Sequence, residues 1–162
     1  MALLPSSRIL DRTTAVLNEL RTYPAWTASL DQATARTTPR LVTSVAPPSR
    51  KSARLPDYFI VEIQRGTGIS ARFAHHAETG EFLEAEAVQK PDAVLPEYVD
   101  PKKELPAQIP ATATIAPAMI WQPCIQSATR FLPFWRVHVD QQVLYLRADG
   151  VLFETLTVNH RG

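Results

Sequence analysis

Strand signals in this chain fall into two blocks, residues 58–88 and 134–157, and in the stretch between them proline recurs every four or five residues. Proline lacks a backbone N–H and biases the preceding residue toward extended geometry, so a run of this kind neither continues a sheet nor sustains a helix. Pro91, Pro96, Pro101, Pro106 and Pro110 therefore predict an extended arm over residues 91–117. At roughly 3 Å per residue such an arm reaches across a small domain. Its apolar residues Val94, Leu95, Tyr98, Val99, Leu105 and Ile109 predict that it lies against a surface, because a solvated linker has no need of them.

The first block reads as a three-stranded meander. Residues 58–64 are rich in aromatic and β-branched side chains, with Phe59, Val61 and Ile63 on one face and Tyr58, Ile60 and Glu62 on the other. A glycine-bearing turn at residues 65–68 returns the chain along 69–74, and a second turn at 77–80 leads into 81–88. Before this block, Ile9, Leu10, Val16, Leu17 and Leu20 recur at spacings of three and four, which predicts a helix over residues 7–21 capped by Ser6 or Ser7. Pro24 suits the first position of a second short helix whose buried face is Trp26, Leu30 and Ala33. Helices this short are marginal alone, so both are expected to dock on sheet. Residues 36–56 read as an irregular connector with a short strand at 41–45 and a basic set, Arg36, Arg40, Arg50, Lys51 and Arg54. No aromatic residues are interleaved to stack on bases, so a solvated linker is the preferred reading of that set.

The second block opens with a short apolar strand at 118–121, ended by Pro123. Strands follow at 135–139, 143–148 and 151–157, and Asp149-Gly150 is the strongest hairpin signal in the chain, read as a type I′ or related tight turn. These elements predict an α+β protein: N-terminal helices packed on antiparallel β-meanders, with the proline-rich extended arm between two strand blocks. The expected organisation is residues 1–90, 91–117 and 118–162, as two lobes or one continuous domain. A mainly β barrel or sandwich is the alternative.

The run Tyr58-Phe59-Ile60-Val61-Glu62-Ile63, then Ile69-Ser70-Ala71-Arg72-Phe73, then His76-Ala77-Glu78-Thr79-Gly80-Glu81-Phe82-Leu83 resembles the three-strand portion of PepSY-like domains. His76 stands where that family usually carries Asp, and the family's usual export signal is not seen. The resemblance implies a small α+β module that binds or restrains a partner, often a peptidase, and is not itself catalytic.

Chemistry-bearing motifs are sparse. A formal net charge of +1 gives no overall electrostatic reason to bind nucleic acid or an anionic membrane. The first residues lack the basic and apolar regions of a secretory signal, and no run approaches 18 apolar residues, so a cytoplasmic protein is expected. Cys124 is the single cysteine, which rules out an intrachain disulfide and a cysteine-based zinc knuckle. It is either a buried structural thiol, the preferred reading, or the nucleophile of a hydrolase or transferase if a histidine meets it in space. His75 and His76 are neighbours on a strand and point to opposite faces, so no metal site is expected. Glu84 and Glu86, at alternate positions, read as the wet face of a strand. Gly66-Thr67-Gly68 is too short to cradle a phosphate, and no cofactor is expected. The terminal Gly162 reads as a frayed end rather than a conjugation signal.

Tyr98, Phe131, Phe134 and Trp135 are the candidate aromatic surface for a protein contact, with burial in the core the competing reading. By elimination the expectation is a non-catalytic binding, assembly or regulatory module acting on a protein partner. The alternatives are a Cys124-dependent hydrolase or transferase and a small-ligand-binding protein.

Overall fold

The structure, a computed structural model, describes residues 2–45, 55–103 and 105–158. In chain order its elements are α1 (Ser6–Leu20), α2 (Pro24–Leu30), β1 (Thr34–Ala35), β2 (Arg40–Ser44), β3 (Tyr58–Arg65), β4 (Gly68–His76), β5 (Phe82–Ala87), β6 (Thr114–Trp121), β7 (Phe134–Val139), β8 (Gln142–Arg147) and β9 (Leu152–Phe153). They divide into two compact units, Met1–Leu41 with Pro56–Pro96, and Val42–Leu55 with Glu97–Gly162. The segment expected as one arm is thus split between units at residues 96 and 97, and the chain leaves the first unit within β2.

In the first unit the strand order is β5-β4-β3-β1, antiparallel throughout. The expected meander forms because Gly66 takes φ +58° and Gly80 φ +71°, left-handed conformations that glycine adopts without a steric penalty. Phe59, Val61, Ile63, Ala71 and Phe73 pack against Ile9 and Leu17 of α1 and Leu30 of α2. Each of the larger of these side chains, fully buried, contributes about 1.5–3 kcal/mol, which holds helices too short to persist alone. The helix cap differs from expectation. Ser6 is already helical, Pro5 occupies the capping position, and no side chain bonds there. The start of α1 is held instead by the Leu4 N–H, which donates to the Ala77 carbonyl at 2.8 Å. Arg21, just after α1, ties that helix to the far end of α2 by donating to the carbonyls of Leu30 and Ala33.

Two bulges set the register of this sheet. Ile63 faces Ala71 while Gln64 faces Ile69, leaving Ser70 as an extra residue on β4. Ala74 faces Glu84 while His75 faces Phe82, leaving Leu83 extra on β5. Each insertion moves one strand by one position, which in a two-residue repeat decides which side chains share a face.

In the second unit β2 lies parallel to β6, with Val42 opposite Met119 and Ser44 opposite Trp121. β6, β7, β8 and β9 then pair antiparallel in sequence. β6 starts at Thr114, inside the segment expected to be arm, and tolerates Pro117 because its register with β7 breaks between Ile115 and Met119. Ile109, Val137 and Leu146 form one buried cluster, and Ile120, Cys124 and Phe134 form another. The Val99 N–H donates to the Ala148 carbonyl at 2.9 Å.

The Asp149-Gly150 turn is not type I′. Neither Ala148 nor Asp149 has a positive φ, whereas Gly150 has φ +94°. The Gly150 N–H donates to the Arg147 carbonyl and the Arg147 N–H to that of Val151, both at 2.8 Å, which closes a three-residue loop ending in a left-handed glycine. β9 is two residues long rather than the seven expected; further on the chain bonds to residues 125 and 126 instead, the Thr157 N–H donating to Gln126 Oε1 and its carbonyl accepting from the Ile125 N–H, both at 2.9 Å. Among the described residues no helix is long and apolar enough to cross a membrane. Arg50, Lys51, Arg54 and Gly162 lie outside the described residues.

Candidate functional site

β5 ends the sheet of the first unit and pairs with β4 on one side. The Val88 N–H donates to the Ser70 carbonyl at 3.0 Å, and from that pair the antiparallel alternation runs back along the strand. Glu86 and Glu84 occupy the hydrogen-bonded positions opposite Arg72 and Ala74. The N–H and C=O groups of Ala85 and Ala87 consequently point away from β4, toward the open side. Their methyl groups lie on the helix face of the sheet, against the core, and between them and α2 runs a groove of about 460 Å³ lined by Ala25, Trp26 and Ser29.

The other face of this sheet carries a row of charges. Arg36, Glu62, Arg72 and Glu86 sit side by side on four successive strands or their ends. Arg36 Nη1 lies 3.2 Å from Glu62 Oε2, Arg72 Nε 3.6 Å from Glu62 Oε1, and Arg72 Nη1 2.8 Å from Glu86 Oε1. Arg72 is 2% exposed and also donates to the Pro96 carbonyl. Burial pushes the Glu86 carboxyl above its ordinary pKa, more than the hydrogen bond and charge of Arg72 pull it down. Glu86 is thus half-buried beside a guanidinium, while Glu84 is exposed as the wet-face reading requires.

The two adjacent histidines do point to opposite faces, with different duties. His75 is fully buried, its Nε2 3.1 Å from Thr13 Oγ1 and its Nδ1 3.2 Å from the Gly80 carbonyl. Burial lowers its pKa, partly offset by the Gly80 carbonyl. His76 Nδ1 accepts from the Glu78 and Thr79 N–H groups and so shapes the turn before β5. Among the described residues no three His, Cys, Asp or Glu side chains gather as a metal ion requires.

Cys124 is 1% exposed and packs with Ile120 and Phe134. Burial raises its thiol pKa beyond what the Ser127 and Gln126 backbone groups and the Arg147 cation lower it. A nucleophilic cysteine needs the reverse balance.

The aromatic candidates do not form a surface. Phe131 is 1% exposed, Phe134 0% and Tyr98 7%. Phe134 stacks edge-on with Tyr145 and Phe153, and the Tyr98 hydroxyl donates to the Phe131 carbonyl. Trp135 is half-buried, with an indole N–H that has no acceptor among the described residues. Phe134 and Trp135, adjacent on β7, point into the two different clusters of the second unit, while Tyr98 and Phe131 are buried beside each other. Sequence reasoning missed the row of charges and the open backbone of β5. The alternation Glu62, Arg72, Glu86 on opposed strands was the available signal, obscured by the bulges. Beside residues Val99, Asp100 and Gly150 the second unit also has an open groove of about 570 Å³.

Comparison with protein-family models, with curated proteins and with solved structures returns no match.

Proposed function

We propose that the protein is a non-catalytic binding or regulatory module that engages a protein partner through the open edge of β5. The observation that carries this reading is the outward-facing backbone of Ala85 and Ala87 beside the α2 groove. An exposed strand edge is a template for adding a strand from another chain, and main-chain hydrogen bonds supply the attachment. The resemblance of residues 58–88 to PepSY-like modules, which restrain partners, is in keeping with it. In this reading the proline-rich segment before β6, residues 91–113, is an arm ordered by modest contacts, since proline lowers the entropy lost on fixing it.

A cysteine-based enzyme is disfavoured by the burial of Cys124 and its raised pKa. Alkylation of Cys124 by iodoacetamide in the folded chain should be slow and should become fast in denaturant; rapid modification of the native protein reopens the enzyme reading. The groove beside Asp100 supports a second reading, a small-ligand site, which ligand-induced thermal shifts detect.

The test of the main reading is photo-crosslinking in cells from a reactive amino acid at position 89, next to the edge. A specific crosslinked protein that disappears with Ala85→Pro is the expected result. Crosslinks indifferent to Ala85→Pro, or none from this edge, would overturn it.

A further inference from the structure

The two flanks of the β5 edge differ in chemistry, and an added strand must satisfy both at once. Side chains on a strand alternate between faces, so a segment hydrogen-bonded to Ala85 and Ala87 sends one set toward α2 and the other toward Glu84 and Glu86. On the helix side, Ala85 and Ala87 are too small to fill the space beside Trp26, and the groove there is bounded by Ala25 and Ser29. That side accepts apolar side chains of moderate size. On the opposite side stand the exposed Glu84 and the half-buried Glu86, with Glu81 also exposed just before the strand.

We infer that β5 docks an extended segment of a partner protein in which Lys or Arg alternates with an apolar residue. This rests on the binding-module reading above and names the partner's chemistry. Cationic side chains of such a segment fall beside the carboxylates at cross-strand distance, where opposite charges attract and like charges repel. The Glu86 pKa is consistent with this need: burial raises it most, Arg72 lowers it, and the neighbouring charge of Glu84 raises it again. A further cation on this face relieves that repulsion.

The same charges argue against a second copy of this chain as the occupant. An antiparallel pairing of two β5 strands centred on Ala85 sets Glu84 opposite Glu86, and one centred on Glu86 sets that residue opposite itself. Either arrangement opposes carboxylates directly. Only a register centred on Ala87, at the strand's end, escapes this, with Glu86 opposite Val88 and Glu84 opposite Lys90, so the charges disfavour the two central self-pairings and favour a basic strand.

The test is an NMR titration of the full ¹⁵N-labelled chain with three synthetic peptides of about seven residues, enough to span a strand of this length. The first alternates Lys and Val, the second alternates Glu and Val, and the third has the first peptide's composition with its lysines contiguous. The expected result is saturable shifts of the amides of residues 84–89 and of the Trp26 indole with the first peptide alone. Ala85→Pro should abolish these shifts while preserving the remaining spectrum, because the N–H it removes does not bond to β4. Glu84→Lys, at an exposed position, should raise the Kd for the Lys–Val peptide about tenfold and make the Glu–Val peptide the better ligand. Equal responses to the alternating and contiguous lysine peptides, or shifts away from β5, overturn the proposal. So does line broadening of β5 that grows with protein concentration in the absence of peptide, which would assign the edge to a second copy. Binding of the Glu–Val peptide at β5, blocked by Ala85→Pro, would overturn the basic partner and leave the binding module standing. Absence of binding by every peptide overturns the inference, and the crosslinking result then decides separately whether the edge binds proteins at all.

Discussion

Arg72→Met removes a cation that two carboxylates of the first unit share. Arg72 is 2% exposed, with Glu86 at 2.8 Å and Glu62 at 3.6 Å. Methionine is unbranched and adaptable, so the loss is mainly electrostatic rather than that of a cavity. Breaking a buried ion pair from one side costs about 3–5 kcal/mol, because the partner charge stays behind. Glu62 retains Arg36 at 3.2 Å and the Glu86 side chain is 30% exposed, which places the cost near the lower end, about 3 kcal/mol. At about 2–4 °C per kcal/mol for a chain of this size, the melting temperature should fall by roughly 6–12 °C.

The deficit should depend on pH in a definite direction. Burial raises the Glu86 pKa above its ordinary 4.5, so the folded state binds this proton more readily than the unfolded chain. Its contribution to stability is therefore fully present below 4.5 and is lost as pH rises through the raised value. Without Arg72 that value moves higher, and the variant should recover part of its loss between about pH 7.5 and about pH 5. Circular-dichroism melts of both proteins at the two pH values measure this. Adding Glu62→Gln and Glu86→Gln to the variant should restore most of the stability, since no buried charge then lacks its partner. A fall smaller than about 2 °C, or a deficit that is the same at both pH values, would refute the account of Arg72 as the shared counter-ion.

His75 gives a second pH signature of opposite sense. Its pKa is lowered from 6.5 by burial, so its contribution is complete above 6.5 and declines as pH falls below it, while the unfolded chain takes up a proton that the buried ring resists. In urea unfolding, the stability difference between wild type and His75→Leu should shrink between about pH 7.5 and about pH 5.5; a constant difference would count against the buried neutral ring. Gly150→Val places a branched side chain at φ +94° with its Cβ 3.3 Å from Val99 Cγ1. It should cost about 1–2 kcal/mol or more, and an unchanged melting temperature would mean the loop is misassigned. Tyr98→Phe deletes the hydroxyl that bonds the Phe131 carbonyl and should speed amide exchange around residues 98 and 99; protection equal to wild type would show that this bond does not hold the segment.

Local features of this molecule were legible in the amino-acid order. The three- and four-residue spacing around Leu17 makes a helix wherever it has something to cover, Pro24 opens a second one, and the glycines at 66, 80 and 150 turn the chain because their backbones enter conformations other residues resist. The meanders followed from those turns. The fate of Phe134 did not, because an aromatic residue at a strand entrance suits a core and a contact surface equally, and only its packing with Cys124 and Ile120 chooses; Tyr98 is likewise committed by its bond to the Phe131 carbonyl. The decisive difference lies in the bulges. Counted from the turn at Gly66, Glu62 would oppose Ala71; the extra Ser70 brings it opposite Arg72 and aligns the row of charges. The residue Leu83 adds does the same for β5 and so decides which backbone groups face outward. A bulge has little local signature, since it relieves a mismatch between strands that meet only in three dimensions, and that is why the open edge belongs to the tertiary structure and not to the sequence pattern.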